Sequence, residues 1–186
     1  QKMQVIVIQN QKGGVGKTVS AATIASGLAT EFHQEYRVGL IDMDGQATLS
    51  MYYAPEADLE GYLSVGDLMM NNFDLDEGET LEQVVSNAFL PTTIPNLRIL
   101  PASQSDRAIE GWFHEQVFGQ KLKSPYSLLN TIINAVQDEF DIIILDPPAF
   151  AKSISTKHKA LQGYQKINQL AIQQIKKNGL IFTYSC

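Results

Sequence analysis

The chain has 186 residues, 44% of them hydrophobic and 18% charged, with a formal net charge of −6. That is enough chain and enough apolar material for one α/β domain with a buried core, and the acidic balance excludes a surface that binds nucleic acid everywhere. A single cysteine, the terminal Cys186, excludes an internal disulfide framework, and the lack of a membrane-length apolar run or leader pattern sets the expectation of a cytoplasmic protein.

Gln1 and Lys2 ahead of Met3 read as an expression remnant. The β-branched run at 3–8 predicts a buried strand, and the small-residue run after it predicts a helix over 18–32 with Ala22, Ile24, Ala25, Leu28 and Ala29 inward. Between them lies Gln11-Lys12-Gly13-Gly14-Val15-Gly16-Lys17-Thr18. Strand, glycine loop and helix start are the context of a phosphate-binding loop. Gly13, Gly14 and Gly16 let backbone amides turn inward without Cβ interference, and the helix N-terminus adds partial positive charge. Gly13, Gly14, Val15, Gly16, Lys17, Thr18 and Val19 are therefore the candidate nucleotide-binding set. Lys17 would reach the β- and γ-phosphates, and the Thr18 hydroxyl would ligate Mg²⁺. The plain alternative is a Gly-rich turn with an incidental Lys-Thr.

A second strand at 37–41 ends in Asp42-Met43-Asp44-Gly45-Gln46. Carboxylates at the C-terminal end of a parallel strand face the ligand edge of an open sheet, although a polar turn would read the same way. Short helices are predicted at 64–70 and 79–88, then a strand at 97–100. Met69 and Met70 read as core filler. A helix over 106–121 carries Trp112 and His114, read as packing and solvent-side residues. The next helix, 125–140, buries Leu128, Leu129, Ile132, Ile133 and Val136. The apolar strand at 141–146 ends in Asp146, which by position and character is a Walker B carboxylate opposite Thr18, with a structural turn aspartate as the alternative.

The order Lys12-Gly13-Gly14-x-Gly16-Lys17-Thr18 resembles the deviant Walker A of the ParA/MinD partition ATPases. The resemblance implies that Lys12 crosses a homodimer interface to the partner's nucleotide, making Lys12, Lys17 and Asp44 the catalytic candidates. It also implies that Asp44 activates the attacking water and that Asp42 lies near the metal, so Thr18, Asp42 and Asp146 form the metal set. Gly45 stands where that family has proline, which is expected to leave the loop more mobile.

After Asp146 the pattern changes. Asp146-Pro147-Pro148-Ala149-Phe150, the basic stretch with Lys152, Lys157 and Lys159, and the helix from about 161 to 177 resemble the AdoMet-dependent rRNA cytosine-C5 methyltransferases, with Cys186 at the nucleophile's place. Their AdoMet loop is missing and the thiol lacks groups that would activate it, so methyl transfer is not expected. Lys152, Lys157, Lys159 and Lys166 read as a solvated face. The whole reads as a single P-loop/Rossmann-like domain over 1–186, a chimera joined by design or by natural fusion, with a ParA-like part over 3–140 and a methyltransferase-like part over 141–186. The expected fold is a three-layer α/β/α domain with a mostly parallel sheet of about five strands in the order 3-2-4-1-5, the last strand lying on the far side of the first. The expected ligands are ATP or ADP with Mg²⁺, with weak or no hydrolysis, and DNA binding is expected to be lost with the missing C-terminal half. A natural ParA-like fragment and a purely structural assembly without activity are the alternatives.

Overall fold

The structure is a computed structural model, described over residues 3–10, 16–31, 36–54, 61–102, 126–147 and 182–184. In chain order its elements are β1 (Gln4–Asn10), α1 (Lys17–Glu31), β2 (Val38–Asp42), α2 (Thr48–Tyr53), α3 (Val65–Met70), α4 (Leu81–Ala88), β3 (Leu90–Pro91), β4 (Leu97–Leu100), α5 (Tyr126–Ala135), β5 (Ile142–Asp146) and β6 (Phe182–Tyr184).

The strands form a single sheet in the order β3-β4-β2-β5-β1-β6, parallel throughout except for the β3–β4 pair at one edge. The expected order is observed, with two-residue β3 as an unforeseen addition. β1 uses two stretches for its two neighbours. Gln4 to Val7 pair with β5, and Ile8 to Asn10 pair with β6, so the last strand does lie on the far side of β1. The β1–β5 pairing is therefore left intact.

Side-chain alternation sends the central strands' residues into two separate cores. On one face Ile41, Leu100, Ile143 and Leu145 pack with Val65, Leu68 and Met69 of α3, Val84, Val85 and Ala88 of α4, and Leu129 and Ile132 of α5. On the other, Ile6, Ile8, Leu40, Ile99, Ile142 and Ile144 pack with α1 and with Leu49 and Tyr53 of α2. Sheet and two helical layers make the expected α/β/α arrangement.

Local sequence explains most boundaries. Ser64 and Thr80 sit in extended backbone as N-caps of α3 and α4, each closing a capping box with the residue three positions on, Asp67 and Gln83. Each helix thus starts one or two residues later than its hydrophobic pattern suggests. In α1 the fully buried stripe is Ala21, Ala25 and Ala29, with Ala22, Ile24 and Leu28 only partly buried. Three alanines four residues apart let the helix lie close on the sheet, and the larger side chains flank the contact. Helix α5 ends at Ala135, short of the expected 140, and turns carry the chain through Val136 to the buried Phe140. Of the two adjacent methionines, Met69 is buried in the core and Met70 is exposed.

At the N-terminal edge of the sheet, Arg37 and Asp141 clamp the starts of β2 and β5 through Arg37 Nε to Asp141 Oδ2 (3.1 Å) and Arg37 Nη2 to Asp141 Oδ1 (3.2 Å). Among the described residues no helix is long and apolar enough to cross a membrane. The helices expected at 106–121 and 161–177, with Trp112, His114 and Lys166, lie outside the described residues, as do the basic stretch with Lys152, Lys157 and Lys159, and Cys186.

Candidate functional site

The site lies where β1, β2 and β5 end. Gly16 has φ +84°, a left-handed conformation that side-chain-bearing residues rarely adopt, although a Cβ there would meet nothing within 4 Å. Backbone conformation, not space, is what calls for glycine at this position. Its carbonyl accepts from Ser20 N–H (2.8 Å), so helix α1 is already wound when Lys17 enters it. Lys17 is buried, Thr18 is half-buried, and Val19 is exposed on the same turn. Lys12, Gly13, Gly14 and Val15 lie outside the described residues.

Asp42 and Asp146 are register partners on adjacent parallel strands, and Met43 N–H donates to the Asp146 carbonyl (3.0 Å) just beyond them. By alternation both carboxylates leave the sheet on the α1 and α2 face. Both are buried, yet their surroundings are opposite.

Asp42 is fully engaged. Its Oδ2 accepts from Ser50 N–H (2.9 Å) and from the Ser50 hydroxyl (2.7 Å), and its Oδ1 accepts from Asp44 N–H (3.1 Å). Burial raises its pKa, and the Ser50 and Asp44 hydrogen bonds oppose the rise.

Asp146 has no such company. Both of its carboxylate oxygens are buried without a hydrogen-bond partner among the described residues. Burial pushes its pKa up to about 7; the Thr18 hydroxyl is the main opposing influence, followed by the Lys17 charge, while Asp42 and Asp44 add repulsion. The Thr18 side chain thus faces the Asp146 carboxylate and favours its ionised form. A buried, unpartnered carboxylate beside a hydroxyl and a lysine suits a cation that brings its own water and phosphate ligands. Among the described residues no group of three or more His, Cys, Asp or Glu side chains could cage an ion alone, so any ion here needs those outside ligands.

Asp44 is half-buried at the head of the loop that leads into α2. Its Oδ1 accepts from Gln46 N–H (3.0 Å) and its carbonyl from Ala47 N–H (2.8 Å), closing a turn in which Ala47 itself is left-handed (φ 52°). Gly45 has no positive φ, so backbone conformation does not call for glycine there. The structure therefore gathers Lys17, Thr18, Asp42, Asp44 and Asp146 of the expected set at one sheet edge. Sequence reasoning missed Ser50 and all of α2. A serine eight residues beyond an aspartate has no local signature, and only the return of the chain brings them together.

Comparisons with known proteins bear on the family and the fold. The family model described as an AAA domain matches residues 3–162. Plasmid partition protein A of Escherichia coli is 27% identical over 149 residues, 76% of this chain and 36% of that protein, so the chain spans about a third of such relatives. Ribosomal RNA large subunit methyltransferase I of Vibrio parahaemolyticus is 48% identical over 48 residues, 26% of this chain and 12% of that protein. In fold, the chain resembles cobyrinic acid a,c-diamide synthase of Mycobacterium smegmatis, solved with ADP and magnesium, with a TM-score of 0.64 and 21% identity over 98% of this chain and 74% of the other.

Proposed function

The chain belongs to the AAA-domain family, and from that premise we propose that its P-loop fold binds ATP or ADP together with Mg²⁺, with weak hydrolysis or none. The orphaned buried carboxylate of Asp146 carries this reading. A carboxylate without a partner costs stability in the ligand-free protein, and that cost is offset when a cation arrives. Nucleotide and magnesium in the fold relative solved with both support the same ligand pair.

In this reading Gly13, Gly14, Val15 and Gly16 present backbone amides to the phosphates, Lys17 neutralises the β- and γ-phosphate oxygens, and Val19 contributes backbone from the first turn. Thr18 and Asp146 would hold the magnesium ion, with Asp42 behind them. When bound, the ion supplies charge neutralisation at the phosphate oxygens. Asp44 would orient and deprotonate a water at the γ-phosphate edge. Lys12 would serve a second copy's nucleotide, so turnover depends on a homodimer. The protein's place would be the cytoplasm.

The 48-residue methyltransferase likeness favours a second statement about origin. We read the chain as a chimera of a ParA-like part, 3–140, and a methyltransferase-like part, 141–186, in one domain. The strand around Asp146 serves both, because an apolar strand ending in a carboxylate suits either parent. A purely structural assembly would show no nucleotide-dependent stabilisation.

Isothermal titration with ATP, GTP and AdoMet, each with and without Mg²⁺, tests the proposal. Magnesium-dependent binding of ATP, lost by about tenfold or more in Lys17→Ala, is the expected result. Full affinity in Lys17→Ala, or binding of AdoMet alone, would refute it.

A further inference from the structure

The two carboxylates at the site are treated differently by the fold, and Ser50 is the reason. Its hydroxyl stands between two strand ends. It donates to Asp42 Oδ2 (2.7 Å) and accepts from Ala102 N–H (2.8 Å), just past the end of β4. Its own N–H adds the second donor to the same Asp42 oxygen (2.9 Å). Asp42 Oδ1 in turn receives Asp44 N–H (3.1 Å). Asp42, Ser50 and Ala102 are all buried.

This is a closed chain of donors and acceptors running from β4 through α2 to the end of β2 and on to Asp44. Tyr53, one turn beyond Ser50, donates to Ala22 O (2.9 Å) and meets Ser26 Oγ (2.6 Å), tying the same helix to α1. Asp42 therefore spends both oxygens inside the protein, whereas Asp146, its neighbour in register, has no geometric hydrogen-bond partner for either oxygen among the described residues.

We infer that Ser50 is a positioning residue, one that holds the Asp42 carboxylate as an internal anchor for the Asp44 loop and leaves Asp146 as the carboxylate open to the cation. The inference rests on the Mg²⁺–nucleotide reading only for its second half. The anchor itself involves only this chain's own residues. It also gives Asp42 a different duty from the one that the family resemblance implies.

The test has two arms. In the nucleotide-free protein, amide hydrogen exchange is followed in Ser50→Ala and Ser50→Thr. Loss of the hydroxyl is expected to speed exchange at Ala102, its direct partner, and at Asp44, reached only through Asp42, by about tenfold each. Amides of Ile99 and Ile132 serve as controls for general loosening, and the threonine variant, which keeps the hydroxyl, is expected to restore protection at both sites. Asp44 exchange unchanged in Ser50→Ala, or raised no more than the controls, would overturn the anchor. In the second arm, Mn²⁺ affinity of the ATP complex is read by electron paramagnetic resonance. Asp146→Asn is expected to weaken the ion about tenfold or more, and Asp42→Asn clearly less while still losing Asp44 protection. Equal weakening by the two variants would show Asp42 to be a ligand and overturn the division of labour. A wild-type protein that holds no Mn²⁺·ATP would refute the nucleotide reading and the open role of Asp146 with it, while the exchange arm would still decide the anchor.

Discussion

A buried carboxylate without a partner should make the ligand-free protein weaker as pH rises, and Asp146 allows the size of that effect to be worked out. Its pKa is raised from an ordinary 3.8 to about 7, chiefly by burial. Between those values the folded state holds a proton that the unfolded chain has released, so stability falls as pH rises through the window and levels off above about 7. The full difference is worth roughly 4 kcal/mol, of which roughly 2 kcal/mol falls between about pH 5.5 and about pH 8. Burial raises the pKa of Asp42 as well, and its contribution has the same sign. The wild type must therefore be compared with Asp146→Asn, which keeps Asp42. Urea unfolding in the presence of a chelator, at several pH values across the window, gives both curves. The variant is expected to lack about 2 kcal/mol of the wild type's decline. Parallel curves for the two proteins would refute the argument, because the carboxylate would then be satisfied in the folded state. The same proton must leave when a cation binds, so Mg²⁺-dependent nucleotide affinity is expected to strengthen from about pH 6 to about pH 8.

Two further outcomes follow from the sheet. A Cβ on Gly39 would lie 2.5 Å from Ile143 Cδ1 and 3.3 Å from the Phe140 ring, so Gly39→Ala is expected to cost about 1–3 kcal/mol by overpacking. Adding Ile143→Val removes the atom that is struck, and urea midpoints of the singles and the double should show partial recovery; simple additivity would sink this explanation. At the opposite edge, the hydrogen bond from Arg37 holds Asp141 below the usual carboxylate range. Stability from this clamp is present above about pH 4 and is lost as pH falls through the depressed folded value. Arg37 is 54% exposed, so solvent screening limits the cost of Asp141→Asn to about 1 kcal/mol at neutral pH, and the two proteins should converge in acid.

Much of this molecule could be read along the chain, because the relevant physics is local. Apolar runs with β-branched residues form strands wherever both faces are buried, which is why β1, β2, β4 and β5 lie within one or two residues of their expected places. Hydrophobic pattern made α3 and α4 visible as well, while the capping pairs Ser64–Asp67 and Thr80–Gln83, which that reading passed over, set their starts one or two residues later. Gly16, Lys17, Thr18 and the aspartates ending β2 and β5 were legible for the same reason, since each is defined by what immediately precedes or follows it. Burial within α1 was harder. Periodicity marks a small-residue face, but only the distance between helix and sheet selects Ala21, Ala25 and Ala29 for the line of contact.

What folding alone could decide was how equivalent residues come to differ. Asp42 and Asp146 both end an apolar strand, and no local pattern tells which of them finds hydrogen-bond partners within the protein. The difference arises because α2 returns Ser50 to one of them and not the other, while β4 delivers Ala102 N–H to the same hydroxyl across fifty-two residues. Hydrogen-bond satisfaction depends on which groups meet in three dimensions, and which of two strand-end carboxylates is held by its neighbours is a consequence of that meeting.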